Sequence, residues 1–226
     1  MIDNEKILIL LGKAGCGKGT QSDLLKEKYN LFHISTGDII RENIQNDTSL
    51  GRQFKSYSDS GKLVPNQLIN SLVLDKVFNV RKSGKYNGFI FDGFPRTADQ
   101  MEFLITSILT KNTDSYILDY ALSDEEAKVR IKGRAQKMGD KARKDDLDDN
   151  SINTRFAEYN KNYSAIIKFA KKFFKIINYV AIDARDSMED VFEETKKCIG
   201  SKSYLKFIHD KNIEASNSVS SSTKHI

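Results

Sequence analysis

Residues 7–11 form a wholly apolar run. It passes without a break into Gly12-Lys13-Ala14-Gly15-Cys16-Gly17-Lys18-Gly19-Thr20 and then into a helical pattern over 20–29. A short run with no polar alternation reads as a strand buried on both faces of a parallel sheet. A strand that feeds a glycine-rich loop opening a helix is the context in which GxxxxGK binds phosphate. Glycines reach backbone conformations closed to other residues, so successive N–H groups can turn inward on phosphate oxygens. The helix adds the partial positive charge of its N-terminus. Lys18 is then placed to reach β- and γ-phosphates, and Thr20 to approach a magnesium ion or a phosphate. Cys16 reads as a small filler pointing away from the phosphates.

Apolar runs of the same kind recur at 31–35, 89–91, 116–122 and 176–182, separated by helical patterns. That alternation predicts a three-layer α/β/α domain around a five-stranded parallel sheet, with right-handed crossovers. Two stretches interrupt it. Residues 37–80 carry several helical patterns (37–46, 51–58, 66–80) and no convincing strand; residues 133–149 are polar, charged and glycine-containing. Both look like insertions on a rigid core, the usual carriers of substrate grips and lids. The expected domain therefore spans 1–200: a core of 1–36, 81–132 and 150–200, a helical insertion at 37–80 and a short lid at 133–149. Residues 201–226 are rich in Ser, Asn and Lys and read as a frayed tail, with 204–208 able to extend the last helix.

Composition narrows the function classes. The 36 Lys and Arg against 31 Asp and Glu leave a net charge of +5, but acids are interleaved through most of the chain. A nucleic-acid partner calls for a concentrated basic stripe and is not expected; a pocket for two polyphosphates explains part of the excess. Cys16 and Cys198 make neither a disulfide framework nor a zinc motif. No apolar run reaches membrane-spanning length, so no membrane association is expected. The run at 7–11 lies too near Met1, without a basic flank, for a signal peptide, and Ile2 excludes N-myristoylation at this start. A cytoplasmic location is expected.

Two further clusters carry chemistry. Ser35-Thr36-Gly37-Asp38-Ile39-Ile40-Arg41 follows the second apolar run; Ser35 or Thr36 can cap the helix it opens, with Arg41 about one turn in. Phe89-Ile90-Phe91-Asp92-Gly93-Phe94-Pro95-Arg96-Thr97, followed by Gln100, ends the third run on a carboxylate able to order magnesium and its waters. Arg96 follows a Gly-Phe-Pro turn toward the strand ends, where open parallel sheets bind ligands.

The order GxxGxGKGTQ, STGDxxR, GKLVP (61–65), DGFPRTxxQ and a late RKDD (143–146) resembles the nucleoside monophosphate kinases of the adenylate kinase type, over about residues 6–199. The resemblance implies a P-loop fold and reversible magnesium-dependent transfer, ATP + AMP = 2 ADP, by a phosphotransferase with a phosphate acceptor. It implies an ATP site of Gly12, Gly15, Cys16, Gly17, Lys18, Gly19, Thr20, Arg130 and Arg134. An AMP site would hold Thr36, Gly37, Arg41, Gly93, Arg96, Gln100, Arg143 and Arg155, with Gln100 reading the base. Lys18, Arg96, Arg130, Arg143 and Arg155 would act on the transferred phosphoryl group, and Asp92 would hold magnesium through water, with Thr20 as a second candidate. Asp145 and Asp146 match the acidic pair of the lid. The lid is short and lacks cysteine, as in forms without zinc, and family habit suggests a monomer.

This chain departs from the pattern at several places. Ala14 stands where the family has proline and Lys13 where it has a small residue; loss of the proline frees backbone entropy, and Lys13 is expected to face solvent or to add a phosphate contact. Asn66 replaces the commoner aspartate or threonine. The interval from Arg143 to Arg155 is one residue longer than usual, so either Leu147 is inserted or Lys144 fills the arginine slot. Gly133 and Gly139 are candidate flexible points, or ordinary loop glycines.

The residue types suit the chemistry. Phosphoryl transfer needs two anions held in line and their spreading charge neutralised, and arginine offers a fixed fork of donors at any working pH. No histidine is required: His33 reads as packed core, and His209 and His225 fall in the tail. Two alternatives stand beside this reading. A UMP/CMP kinase of the same family generally has Ala for Thr36 and Asn for Thr97; a catalytically weak nucleotide-binding regulator has support only in Lys13 and Ala14.

Overall fold

The computed structural model describes residues 4–173 and 176–200 of the 226. The tail at 201–226, with the helix extension expected at 204–208 and with His209 and His225, lies outside the described residues.

The chain runs β1 (Glu5–Leu11), α1 (Lys18–Tyr29), β2 (Phe32–Ser35), α2 (Thr36–Gln45), α3 (Ser49–Asp59), α4 (Asn66–Ser83), β3 (Gly88–Asp92) and α5 (Ala98–Phe103). It continues through a π-helical turn (Leu104–Ile108) to β4 (Thr113–Ala121), α6 (Asp124–Met138), α7 (Lys144–Leu147), α8 (Asp149–Ala170), β5 (Ile177–Asp183) and α9 (Met188–Gly200). All strand pairings are parallel, as expected from the alternation of runs, and the order is β2-β3-β1-β4-β5. Successive strand side chains point to opposite faces, and the core divides accordingly. Ile7, Ile9, Phe89, Phe91 and Ile117 pack under α4, α5 and the end of α8, while Leu8, Leu10, Ile90, Leu118 and Val180 pack under α1, α6 and α9. With both faces covered, β1 has no room for polar alternation, and its five residues from Ile7 to Leu11 are buried.

β1 lies where the order turns back on itself, since the chain reaches β2 and β3 on one side of it and β4 on the other. Crevices at the carboxyl ends of strands open at such points. Between β2 and β3 the described elements are the helices α2 to α4, with Ser35 capping α2 by accepting from the Asp38 N–H and Thr48 capping α3 by accepting from the Gly51 N–H. The second interruption is shorter than its composition suggests. α6 starts on a full capping box (Ser123 and Glu126) and runs unbroken past Gly133 to Met138, with Ile131 and Ala135 buried on its inner face. Gly133 is thus a mid-helix residue rather than a flexible loop point. The break falls at Gly139, whose φ of +52° disfavours any side chain. Tertiary packing carries the helix through a polar sequence that local pattern reads as loop.

Candidate active site

A cleft of about 750 Å³ opens at the carboxyl ends of β1 and β3. The glycine-rich loop and α1 form its floor, α2 and the 61–64 turn one wall, and α6, Arg143 and α8 the other.

The loop has its shape because two glycines allow no side chain. A Cβ on Gly12 would lie 2.6 Å from Cys16 Sγ and 2.7 Å from the Tyr120 carbonyl oxygen, and one on Gly15 would lie 2.5 Å from the Ala127 carbonyl oxygen of α6. Both also have φ values in the left-handed region. Cys16 is buried beneath the loop, its Sγ 3.5 Å from Lys18 Nζ. Lys18 donates to the carbonyls of Gly12 (2.6 Å) and Lys13 (3.0 Å). Gly19 and Thr20 are exposed along the floor. Lys13 does not face solvent: it pairs with Asp124 at the start of α6, its side chain only 14% exposed, and its Nζ lies 5.9 Å from the Phe156 ring.

Asp92 ends β3 beside Ser35 of β2. Burial pushes its carboxyl up, but His33, Lys18 and Arg96 outweigh that and hold it below the usual carboxylate range, so it stays ionised. His33 is not simply packed core: its Nε2 lies 3.8 Å from Asp92 Oδ2, buried and otherwise without a hydrogen-bond partner. The two meet only because β2 pairs with β3, which no local pattern could reveal. Among the described residues no group of three or more His, Cys, Asp and Glu could hold a metal ion. One carboxylate and the Thr20 hydroxyl suit a magnesium ion that brings most of its oxygen ligands with it, as phosphates and waters.

The arginines converge. Arg41, Arg96, Arg130, Arg134, Arg143 and Arg155 all line the cleft with Lys18 and Asp92, whereas Lys144 is exposed and does not. Most are matched to internal acids. Arg41 pairs with Asp38, to which Arg143 Nη2 also comes within 3.9 Å. Arg155 pairs with Asp145 and, at 3.0 Å, with Asp146; Arg134 reaches the other oxygen of Asp146 at 2.7 Å. The Asp146 side chain has no exposed surface. Arg96 donates to the Gly93 carbonyl (2.8 Å), and Arg130 to the Arg185 carbonyl (3.1 Å). Enclosure in the cleft, followed by neighbouring guanidiniums, lowers the Arg143 and Arg96 pKa values from the ordinary arginine value, although water still reaches both. Cations crowded in this way attract anions.

Gly37 and Gly93 line the cleft, but Thr36 and Gln100 stand one layer behind it. Thr36 donates to the Gly93 carbonyl (2.7 Å). Gln100 is buried, its Oε1 accepting from the Arg96 N–H (2.7 Å) and its Nε2 donating to Asn66 Oδ1 (2.8 Å). Asn66 is held in turn by Asp99, which accepts from its Nδ2 at 3.3 Å. Beneath the floor, Asp119 of β4 accepts from the hydroxyls of Tyr179 (2.8 Å) and Tyr163; burial pushes its carboxyl up, and burial with Asp119 pushes Tyr163 to about 12. Sequence reasoning missed Asp38 and Asp124 as counter-ions, and Asp119 and His33 as neighbours of the site. Asp119 left a signal, an acid inside an otherwise apolar run, and so did Asp38, three residues before Arg41 on one helix; Asp124 and His33 left none.

A parallel sheet with a phosphate loop at its turning point and a ring of cations around the cleft defines a nucleotide phosphotransferase of the P-loop class. Residues 10–175 match the family model described as adenylate kinase. The chain is 38% identical over 193 residues to an adenylate kinase of Flavobacterium johnsoniae and to one of Bacteroides fragilis, covering 85% of this chain and 97% of each relative. It is 41% identical over 168 residues to an adenylate kinase of Leptospira biflexa, covering 74% of this chain and 86% of that one. The chain belongs to the adenylate kinase family, and its activity is that family's phosphotransfer.

Proposed function

We propose that the protein transfers a phosphoryl group directly between magnesium-bound ATP and AMP, ATP + AMP = 2 ADP, as a cytoplasmic monomer. The observation that carries this reading is the meeting of Lys18, six arginines and ionised Asp92 in one cleft. One nucleotide triphosphate would not call for so many; two facing nucleotides would, because their phosphates repel.

On this reading the loop from Gly12 to Thr20 holds the ATP phosphates, with Lys18 leaving its two carbonyls for the β- and γ-oxygens. Arg130 and Arg134, one turn apart on α6, serve the ATP side. Arg41 and Arg96 grip the AMP phosphate between α2 and the 93–96 turn, and Arg143 and Arg155 reach the phosphoryl group in flight. Magnesium, when bound with ATP, would neutralise charge on the phosphate oxygens, held by Asp92 through water and approached by Thr20. No general base is assigned, since the accepting phosphate of AMP is already an anion. Water is the competing acceptor, and approach of the 37–80 insertion to the 133–149 lid would exclude it. Proximity of the two supports this: Arg143 Nη2 of the lid comes within 3.9 Å of Asp38 in the insertion. Among the described residues no helix is long and apolar enough to cross a membrane.

Selectivity for adenine is assigned to Gln100. The Arg96 N–H fixes its oxygen and Asn66 takes one amide hydrogen, leaving the other for an acceptor on the base. The test is a coupled assay with AMP, UMP, CMP and GMP on wild type and Gln100→Ala. AMP is expected to lead on wild type, and Gln100→Ala to narrow its margin over CMP roughly 10-fold or more, the cost of an unpaired buried group. Preference of the wild type for another acceptor would refute the substrate assignment; unchanged selectivity in the variant would refute the role of Gln100.

A further inference from the structure

We propose that Lys13 is a positioning residue that pins the phosphate loop to α6 and so sets the spacing between the loop and the arginines that α6 carries. The inference rests on reading residues 12–20 as the ATP phosphate site.

The loop backbone is intrinsically loose. Gly12, Gly15 and Gly17 all have positive φ, and Ala14 between them imposes no restraint on φ. Two contacts fix it against α6. Gly15 packs so closely on Ala127 that a Cβ would overlap the Ala127 carbonyl. Two residues earlier, Lys13 Nζ pairs with Asp124, the first residue of α6. The Lys13 stem is nearly covered, with Phe156 of α8 beside the ammonium group. A carboxylate in the first turn of a helix is itself favoured by the helix dipole, so the charge that Lys13 meets is stabilised by α6 even though the Asp124 side chain is 42% exposed. The same residue that is tethered through its side chain offers its carbonyl, with that of Gly12, to Lys18. Arg130 and Arg134 follow on the same helix and face the same cleft. The tether therefore holds Lys18 and these arginines in one frame, which matters for in-line transfer because small misplacements are costly.

Lys13 also borders the cleft, so a direct contact with phosphate is the competing reading. The two differ in sign. If Lys13 is a tether, neutralising its partner with Asp124→Asn loosens the loop and weakens ATP; if Lys13 is a phosphate ligand, the same change frees the ammonium group and strengthens ATP. Initial rates of the full-length chain, with ATP and AMP each varied, test this. Lys13→Gln and Asp124→Asn should each raise KM for ATP roughly two- to tenfold, while KM for AMP stays within about twofold and the melting temperature within about 3 °C. The double variant should be no worse than either single one, and Lys13→Arg should keep near-wild-type values.

Three results would overturn the proposal: a lower KM for ATP in Asp124→Asn, equal rises in both KM values, or no change in Lys13→Gln. Lys18→Met measured alongside separates this idea from its foundation. Wild-type turnover in that variant would overturn the loop reading itself, whereas a lost Lys18 function with an unmoved Lys13→Gln would overturn only the tether.

Discussion

Lys18 rests against two backbone carbonyls, at 2.6 and 3.0 Å, whereas most arginines on the cleft's other surfaces rest against carboxylates. Asp38 holds Arg41 near Arg143, and Asp145 and Asp146 hold Arg155 and Arg134. The difference follows from what each region is built on. The loop hangs from β1, the central strand of a doubly covered sheet, and neutral dipoles suffice for Lys18, while the loop's other cation, Lys13, is taken up by Asp124 away from the arginines. Four of the six arginines sit on helices at the margin (Arg41, Arg130, Arg134 and Arg155), with Arg96 and Arg143 in adjoining turns, and they are close enough to repel one another. The protein's own carboxylates offset that repulsion, and substrate phosphate must compete with them. The loop wall is therefore poised for ligand by its backbone, and the arginine wall by a balance of charge.

The largest expected effect bears on the loop wall. Lys18→Met should lower kcat about 100- to 1,000-fold, in the range found for removal of one preorganised electrostatic group. Its melting temperature should move little, because Lys18 donates to two carbonyls and to Cys16 Sγ, and His33 and Arg96 still face Asp92 when its charge is removed. A variant with near-normal turnover would show that the arginine wall carries transfer unaided, and the contrast between the walls would fail.

A second, smaller effect bears on the arginine wall. Asp146→Asn leaves Arg134 without its carboxylate and Arg155 with only Asp145. The cost in urea denaturation should be about 2 kcal/mol, below the usual figure for breaking a buried pair because the Arg134 side chain is 35% exposed and Arg155 keeps a partner. A loss under about 0.5 kcal/mol, typical of a surface pair, would mean that these arginines tolerate one another without an internal anion.

The smallest effect concerns Asp119, an acid buried in β4 beneath the loop. Its carboxyl is raised above the ordinary 3.8 by burial, against the opposing hydrogen bonds from Tyr163 and Tyr179. A carboxyl raised in the folded state favours folding below its unfolded pKa, and that contribution is lost as the pH climbs through the folded value. Asp119→Asn lacks the titration, so its stability relative to wild type should improve as the pH rises from about 3.8 toward neutrality. Parallel stability curves for the two proteins across that interval would contradict the assignment.

Much of this was legible in the linear order of residues. A wholly apolar run at 7–11 followed by glycines and Lys18 specifies both a buried strand and its loop, because each signal lies within a few residues. Ser35 as a helix cap, Asp92 at a strand end and the arginines at motif spacing are local in the same sense. The extent of α6 was not legible, since the buried faces of Ile131 and Ala135 outweigh a polar composition. Lys13 was misplaced as a surface residue because its partner Asp124 lies 111 residues away. Gln100 was foreseen as a base reader, but not that Arg96 and Asn66 hold its amide from either side one layer behind the cleft.

Residue order by itself determined the groups that mark this cleft: the lysine of the phosphate loop, a set of arginines and an acid at a strand end. Those choices follow from short-range chemistry, such as glycine conformations, helix caps and strand periodicity, which needs no knowledge of distant neighbours. Only the tertiary structure decided which cations are already answered by a carboxylate, which way the Gln100 amide faces and which helix Lys13 grips. Charge pairing acts over a few ångströms of space, and the fold alone makes residues a hundred positions apart into neighbours.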